Sequence, residues 1–239
     1  MRWRRFGNGF LCTAVLAYSL AWARDSCAQV MGTEARLRLS VPGQSKPRPI
    51  PAVVWLEPIE GTPAVPFLPH GRYSLQQKNR MFAPHLSVVP VGSVVFFPNA
   101  DPFFHNVFSL FDGRRFDLGL YEAGSSKEVL FSREGASYIF CNIHPEMGAV
   151  VLTLSTPLYA IADREGRFAL HNVPPGNYRM RVWVEGVPQS TLDGLGRRVL
   201  IKSGSVDLGE LRLTAVPQSA NNHADKFGKA YDRDLKSTY

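Results

Sequence analysis

The sequence predicts an all-β protein of two sandwiches in tandem, and three observations carry that expectation. Short runs rich in Val, Ile, Phe and Tyr recur about every ten residues with Gly, Pro and Asn between them, the rhythm of a sandwich or barrel. Apolar residues at helical spacing are almost absent. The texture changes after Thr156-Pro157, where tight-turn sequences begin to alternate with shorter runs.

The chain opens on Arg2, Arg4 and Arg5, an apolar run from Phe10 to about Ala23, and small residues at Ser26 and Ala28. That order is a secretory signal peptide with its cut between Ala28 and Gln29. The run, roughly 14 residues, is shorter than the ~20 a bilayer-spanning helix needs. Residues 1–28 are therefore set apart as a signal. The mature chain is expected in the periplasm or otherwise exported, with no membrane span.

Residues 1–28 also hold four arginines and one aspartate. Removing them from the 27 Lys+Arg and 20 Asp+Glu leaves 23 and 19, so the net charge falls from +7 to +4. No arginine cluster or nucleic-acid motif remains, and no nucleic-acid partner is expected. Of the cysteines, Cys12 and Cys27 precede the cut, which leaves Cys141 alone. A single thiol closes no internal disulfide, and an exposed one would be oxidised outside the cytoplasm. Cys141 is thus either a buried core residue or a metal ligand, and its neighbours decide.

Eight strands are expected over 35–41, 52–57, 85–91, 93–98, 105–110, 126–132, 137–143 and 149–155, enough to fill one sandwich across residues 29–156. Beyond it, strands at 158–162, 167–170, 178–184, 198–202 and 208–213 make a small second β domain over 157–214. Its turns are Asp163-Arg-Glu-Gly166 and Val173-Pro-Pro-Gly176, built from residues that preset φ or accept a positive one. Residues 215–239 read as a polar tail that is extended or partly disordered; the stretch from His223 to Lys229 is a place where it docks, with no chemistry assigned.

Residues 138–147 read Tyr-Ile-Phe-Cys-Asn-Ile-His-Pro-Glu-Met, so Cys141, His144 and Met147 stand three apart in a tight loop between two apolar strands. Such a loop can turn all three side chains to one point. Thiolate, imidazole and thioether together suit copper in both oxidation states, sulfur for Cu(I) and imidazole also for Cu(II). His105, opening a strand after Asn-Ala-Asp-Pro-Phe-Phe, supplies the second imidazole. Two histidines and a cysteine in a plane, with a long axial methionine, are a type 1 copper arrangement, one copper per chain. Asn106 is placed to hydrogen-bond across to the cysteine loop. Zinc fits less well, since structural zinc seldom uses methionine. His85 and Glu146 lie near enough in sequence to be further ligands, although surface placement is the expectation for both. His70, His171 and His223 fall in loops or the tail and read as solvated.

The pairing of His105-Asn106-Val107 with Cys141-Asn-Ile-His144-Pro-Glu-Met147 resembles the His-Asn-Val and Cys-x-x-His-Pro-x-Met elements of the cupredoxins, amicyanin in particular. The likeness spans about residues 80–155. The flanks, including Arg115-Phe-Asp-Leu-Gly-Leu-Tyr121, look like bacterial plastocyanin-like proteins labelled methylamine-utilisation proteins. The resemblance implies a cupredoxin Greek-key sandwich. The segment from Asp163 to Val182 resembles the carboxypeptidase regulatory-like or transthyretin-like fold, which implies a small Ig-like/transthyretin-like β-sandwich after it, with a structural or docking role.

The function expected from this reading is one-electron transfer, with a redox partner such as a cytochrome or dehydrogenase and no enzymatic activity of its own. The alternative is a copper carrier or storage protein without a redox role. Apolar residues Pro102, Phe103, Pro145 and Ala149 are expected around an exposed edge of His144, where electrons would leave.

Overall fold

Strands make up nearly all the ordered elements of the computed structural model, which describes residues 33–42, 49–110, 113–214 and 225–229. The expected signal segment and most of the polar tail lie outside the described residues. In chain order the elements are β1 (Thr33–Ser40), β2 (Ala52–Ile59), β3 (Tyr73–Ser74), β4 (Gln76–Lys78), β5 (Met81–Ala83), β6 (Leu86–Pro90), β7 (Ser93–Pro98), β8 (His105–Ser109) and β9 (Phe116–Tyr121). They continue with β10 (Ser126–Phe131), β11 (Gly135–Phe140), β12 (Gly148–Leu154), β13 (Tyr159–Ile161), β14 (Arg167–Val173), β15 (Gly176–Val184), α1 (Gln189–Asp193), β16 (Arg197–Ile201) and β17 (Ser205–Arg212). No helix among the described residues is long and apolar enough to cross a membrane.

The first sandwich packs the sheet β6-β12-β11-β8-β9 on the sheet β10-β7-β3, with the β4–β5 hairpin bridged to it at Gln77 and Asn99. Alternation builds its core: Val95 and Phe97 of β7 point inward while Val94 is exposed, and they meet Val129 and Phe131 of β10 and Ile139 of β11. Strand β8 lies between β11 and β9 and is buried along its whole length, so the histidine that opens it is held in the core.

The second sandwich packs β14-β1-β17 on β13-β2-β15-β16. In β1, Ala35, Leu37 and Leu39 are buried against Phe168, Leu170 and Leu211, and Arg36 and Arg38 face solvent. The expected turn after Asp163 is present. Gly166 has φ 73°, its N–H reaches the Asp163 carbonyl at 3.0 Å, and its carbonyl accepts from Leu39 N–H at 2.7 Å. A Cβ here would sit 3.0 Å from the Leu39 carbonyl oxygen, so the close approach of β1 demands glycine.

This architecture corrects the expected division at residue 157. The first eight expected strands do not close one sandwich. β1 pairs antiparallel with β14 and parallel with β17, and β2 runs between β13 and β15. Their places in the first sandwich are taken by β3 and β9, neither of them an expected strand. The physical reason is two-sided burial. Ala52, Val54 and Leu56 of β2 fill the second core, while Val53 and Trp55 on its other face, with Trp183 of β15, pack on Val150, Leu152 and Leu154 of β12. β12 is covered on both faces, which is why Ala149 to Leu152 read as a continuous apolar run. Trp183 Nε1 donates to the Tyr138 hydroxyl at 3.3 Å across the same contact. The described residues accordingly form one compact unit.

Candidate metal centre

β11 ends at Phe140, and the next residue, Cys141, keeps the inward alternation of Ile139. The loop back to β12 is short and closed on itself: Cys141 N–H donates to the Met147 carbonyl at 3.3 Å and Met147 N–H to the His144 carbonyl at 3.1 Å. β8 runs beside β11 and places His105 against this loop. Both His105 and Cys141 are fully buried, and His144 is 6% exposed.

Three donor atoms converge. His105 Nδ1 lies 3.1 Å from His144 Nδ1, and the Cys141 Sγ is 3.8 and 3.5 Å from those two nitrogens. Among the described residues these three form a group of side chains able to hold a metal ion. The point equidistant from the three atoms lies ~2.0 Å from each, the length of a metal–imidazole bond. A metal–thiolate bond is longer, about 2.3 Å, so the donor set fits a single ion at or just outside the plane of the three atoms. Met147, also fully buried, belongs to the same core cluster as Cys141.

The surroundings prepare each donor. His105 Nε2 is 2.9 Å from Asp101 Oδ2, which fixes the proton on Nε2 and turns the Nδ1 lone pair toward the other donors. Asp101 is itself gripped by the N–H groups of Asn79 at 2.6 Å and Arg80 at 2.9 Å. Burial pushes its carboxyl up, but those backbone bonds and His105 outweigh it and hold the group below its ordinary value. Burial likewise pushes the Cys141 thiol up, against the N–H groups of Asn106, Ile143 and His144 that point at its sulfur and favour the thiolate. His144 is pushed down by burial first and by His105 second, so it stays neutral and available as a ligand. The Phe103 ring lies 5.2 Å from the His105 ring and 5.7 Å from His144, closing the site against water.

The structure thus brings His105, Cys141 and His144 together at the junction of β8, β11 and β12, and buries Met147 in the same core cluster as Cys141. The sequence motif assigns Asp101 no role, although its position four residues before His105 is the signal that points to it. Other expectations change. The Asn106 side chain donates to Asp117 Oδ1 at 2.8 Å, and it is its backbone N–H that reaches the cysteine. His85 lies apart from the centre, bonded to the Gly148 carbonyl and Glu185, and Glu146 is exposed. Ala149 is core and Phe103 half-buried, and the exposed apolar residues flanking Phe103 and His144 in sequence are Pro102, Phe104, Ile143 and Pro145.

Residues 159–207 match the family model described as polysaccharide lyase family 4, domain II, a stretch running from β13 into β17. No curated protein matches the chain. Among solved structures it is similar to a purple cupredoxin from Nitrosopumilus maritimus, at 22% identity and TM-score 0.32 over 34% of this chain and 99% of that one. A copper-containing nitrite reductase from Thermus scotoductus SA-01 is similar at 24% identity and TM-score 0.33, over 41% of this chain and 25% of that one. A single-residue mutant of amicyanin in its Cu(I) state is similar at 17% identity and TM-score 0.33, over 36% of this chain and 86% of that one. Likenesses at this level bear on neither the activity nor the partners of this chain. On its own geometry, the chain is an all-β protein of two packed sandwiches whose first buries a His–Cys–His triad at one end.

Proposed function

We propose that the chain is a mononuclear copper protein that carries one electron at a time, in which His105, Cys141, His144 and Met147 would hold the ion. The observation that carries this reading is the triangle of 3.1, 3.5 and 3.8 Å between two imidazole nitrogens and one sulfur, all buried. A copper ion there would cycle between Cu(I) and Cu(II), which soft sulfur and borderline imidazole accommodate together. The protein's part is to hold the donors still. Asp101 orients His105, three N–H groups steady the Cys141 sulfur, and Phe103 keeps water from the ligands, so little has to move when the charge changes.

Burial favours electron transfer over the alternative of a copper carrier or store. A carrier hands its metal on by exchanging ligands with an acceptor, which needs donors within reach of solvent; here they are 0, 0 and 6% exposed. It also disfavours an enzyme at this centre, because no donor position opens to a substrate. The exposed apolar residues Pro102, Phe104, Ile143 and Pro145, flanking Phe103 and His144 in sequence, are suited to brief docking of a redox partner such as a cytochrome or dehydrogenase. The arginine-led apolar N-terminus supports export to the periplasm. The test is a titration with Cu(II): intense visible absorption saturating at one copper per chain is expected, and a colourless, weakly bound Cu(II) would refute the proposal.

A further inference from the structure

The strand bearing His105 and the loop bearing Cys141 are joined by a second route, and its link comes from far along the chain. Residues 225–229 form a self-contained turn. Gly228 N–H donates to the Asp225 carbonyl at 3.0 Å, and Asp225 Oδ1 accepts from Phe227 and Lys229 N–H at 2.9 and 2.8 Å. The turn holds Lys226 against the first sandwich. Its backbone N–H donates to Asn142 Oδ1 at 2.9 Å, and its Nζ donates to Asp117 Oδ2 at 2.7 Å.

Those two acceptors are neighbours of the ligands. Asn142 follows Cys141. Asp117, on β9, accepts from the Asn106 side chain at 2.8 Å, and Asn106 follows His105 and donates its own backbone N–H to the Cys141 sulfur. The bonds close into a ring running Cys141, Asn142, Lys226, Asp117, Asn106 and back to the sulfur. Every other member lies between residues 106 and 142; Lys226 is 84 residues beyond Asn142.

We propose that Lys226 is a positioning residue for the metal centre, and that the tail turn fixes the ligand loop from its outer side. Its functional consequence rests on the copper reading above, whereas the ring itself contains no metal. The Lys226 and Asp117 side chains are 25% and 38% exposed, so this ion pair alone contributes little to global stability. Its effect falls on the loop, whose inner edge is drawn together by the Cys141–Met147 and His144–Met147 backbone bonds.

The test compares the full wild-type chain with Lys226→Ala and Lys226→Arg. In metal-free protein, amide hydrogen exchange across residues 141–148 should be at least about tenfold faster in Lys226→Ala. Exchange in the strands of the second sandwich should be unchanged, and Lys226→Arg should restore protection. In the Cu(II)-loaded protein, Lys226→Ala should shift or broaden the sulfur-to-copper absorption while Lys226→Arg matches wild type. Equal loop protection in wild type and Lys226→Ala overturns the proposal. So does a loosened loop with an unaltered absorption band, since Lys226 would then act on the fold alone. Absence of the band from wild type would instead refute the copper reading, with loop exchange still judging the ring.

Discussion

Asp101 Oδ2 and His105 Nε2 meet at 2.9 Å inside the core, four residues apart, and the N–H groups of Asn79 and Arg80 in the turn between β4 and β5 keep the carboxylate charged. The imidazole therefore presents its other nitrogen to the centre in a settled tautomer. Asp101→Asn keeps the size of the side chain but loses the negative charge. Copper affinity should fall about 10- to 100-fold, as for other carboxylates that orient a metal-bound histidine. Competition against a chelator of known affinity measures it, and an unchanged affinity would show that the loop backbone alone orients His105.

Cys141→Ser should abolish the intense visible band, because that absorption needs a sulfur in the copper plane. Weak Cu(II) binding by the histidines should survive. His105→Ala should weaken copper binding more than Met147→Ala, an in-plane nitrogen being the stronger ligand. Ligand by ligand, titrations of the three variants followed by absorption and paramagnetic resonance give the order; equal losses at His105 and Met147 would contradict the assignment.

The interface between the sandwiches should be essential to the first of them. Trp183 is 2% exposed and packs with Val53 and Trp55 on β12. Trp183→Ala should cost about 3–5 kcal/mol in urea unfolding, the usual range for a buried tryptophan. Deleting residues 157–239 should give an insoluble or molten chain without the copper band. It bares Val150, Leu152 and Leu154 and strips β1 and β2 of their partners. A soluble, coloured fragment 29–156 would show instead that the site sandwich stands alone.

His85 Nε2 and Glu185 Oε1, 2.7 Å apart, join the two sandwiches, and His85 Nδ1 reaches the Gly148 carbonyl at 3.0 Å. The bond to Glu185 raises the His85 pKa above its ordinary 6.5, against the opposing effect of burial. A raised folded-state value means that the stabilisation is complete below pH 6.5 and is lost as pH climbs through the folded value. The His85 side chain is 42% exposed, so solvent screening keeps the effect below about 1 kcal/mol. Metal-free wild type should thus be more stable than Glu185→Gln near pH 5.5, with the gap closing toward pH 8. A gap independent of pH would mean that the pair acts without its charge.

How much could be read in advance differs between fold and site. The short strands β3, β4 and β5 escaped notice because two or three residues carry no measurable alternation, and β9 because its burial pattern is irregular. The turn at Asp163 to Gly166 was legible because its residues act locally, through a carboxylate that caps its own backbone and a glycine at positive φ.

The all-β class and the four residues at the centre follow from the linear order of residues alone. Strand period is a property of neighbouring residues, and Cys141, His144 and Met147 are confined to one loop of seven residues whose spacing leaves their side chains little choice but to converge. Which sheet β1 and β2 join, which carboxylate orients His105, and what holds Asn142 were settled in three dimensions. Ala35-Leu37-Leu39 and Val53-Trp55 would satisfy an inward face in either sandwich, so alternation alone cannot assign them. The choice is made by the surface that must be covered: β12 has an apolar face left over after its own core is filled, and β2 and β15 are the strands with an apolar outer face to lay on it.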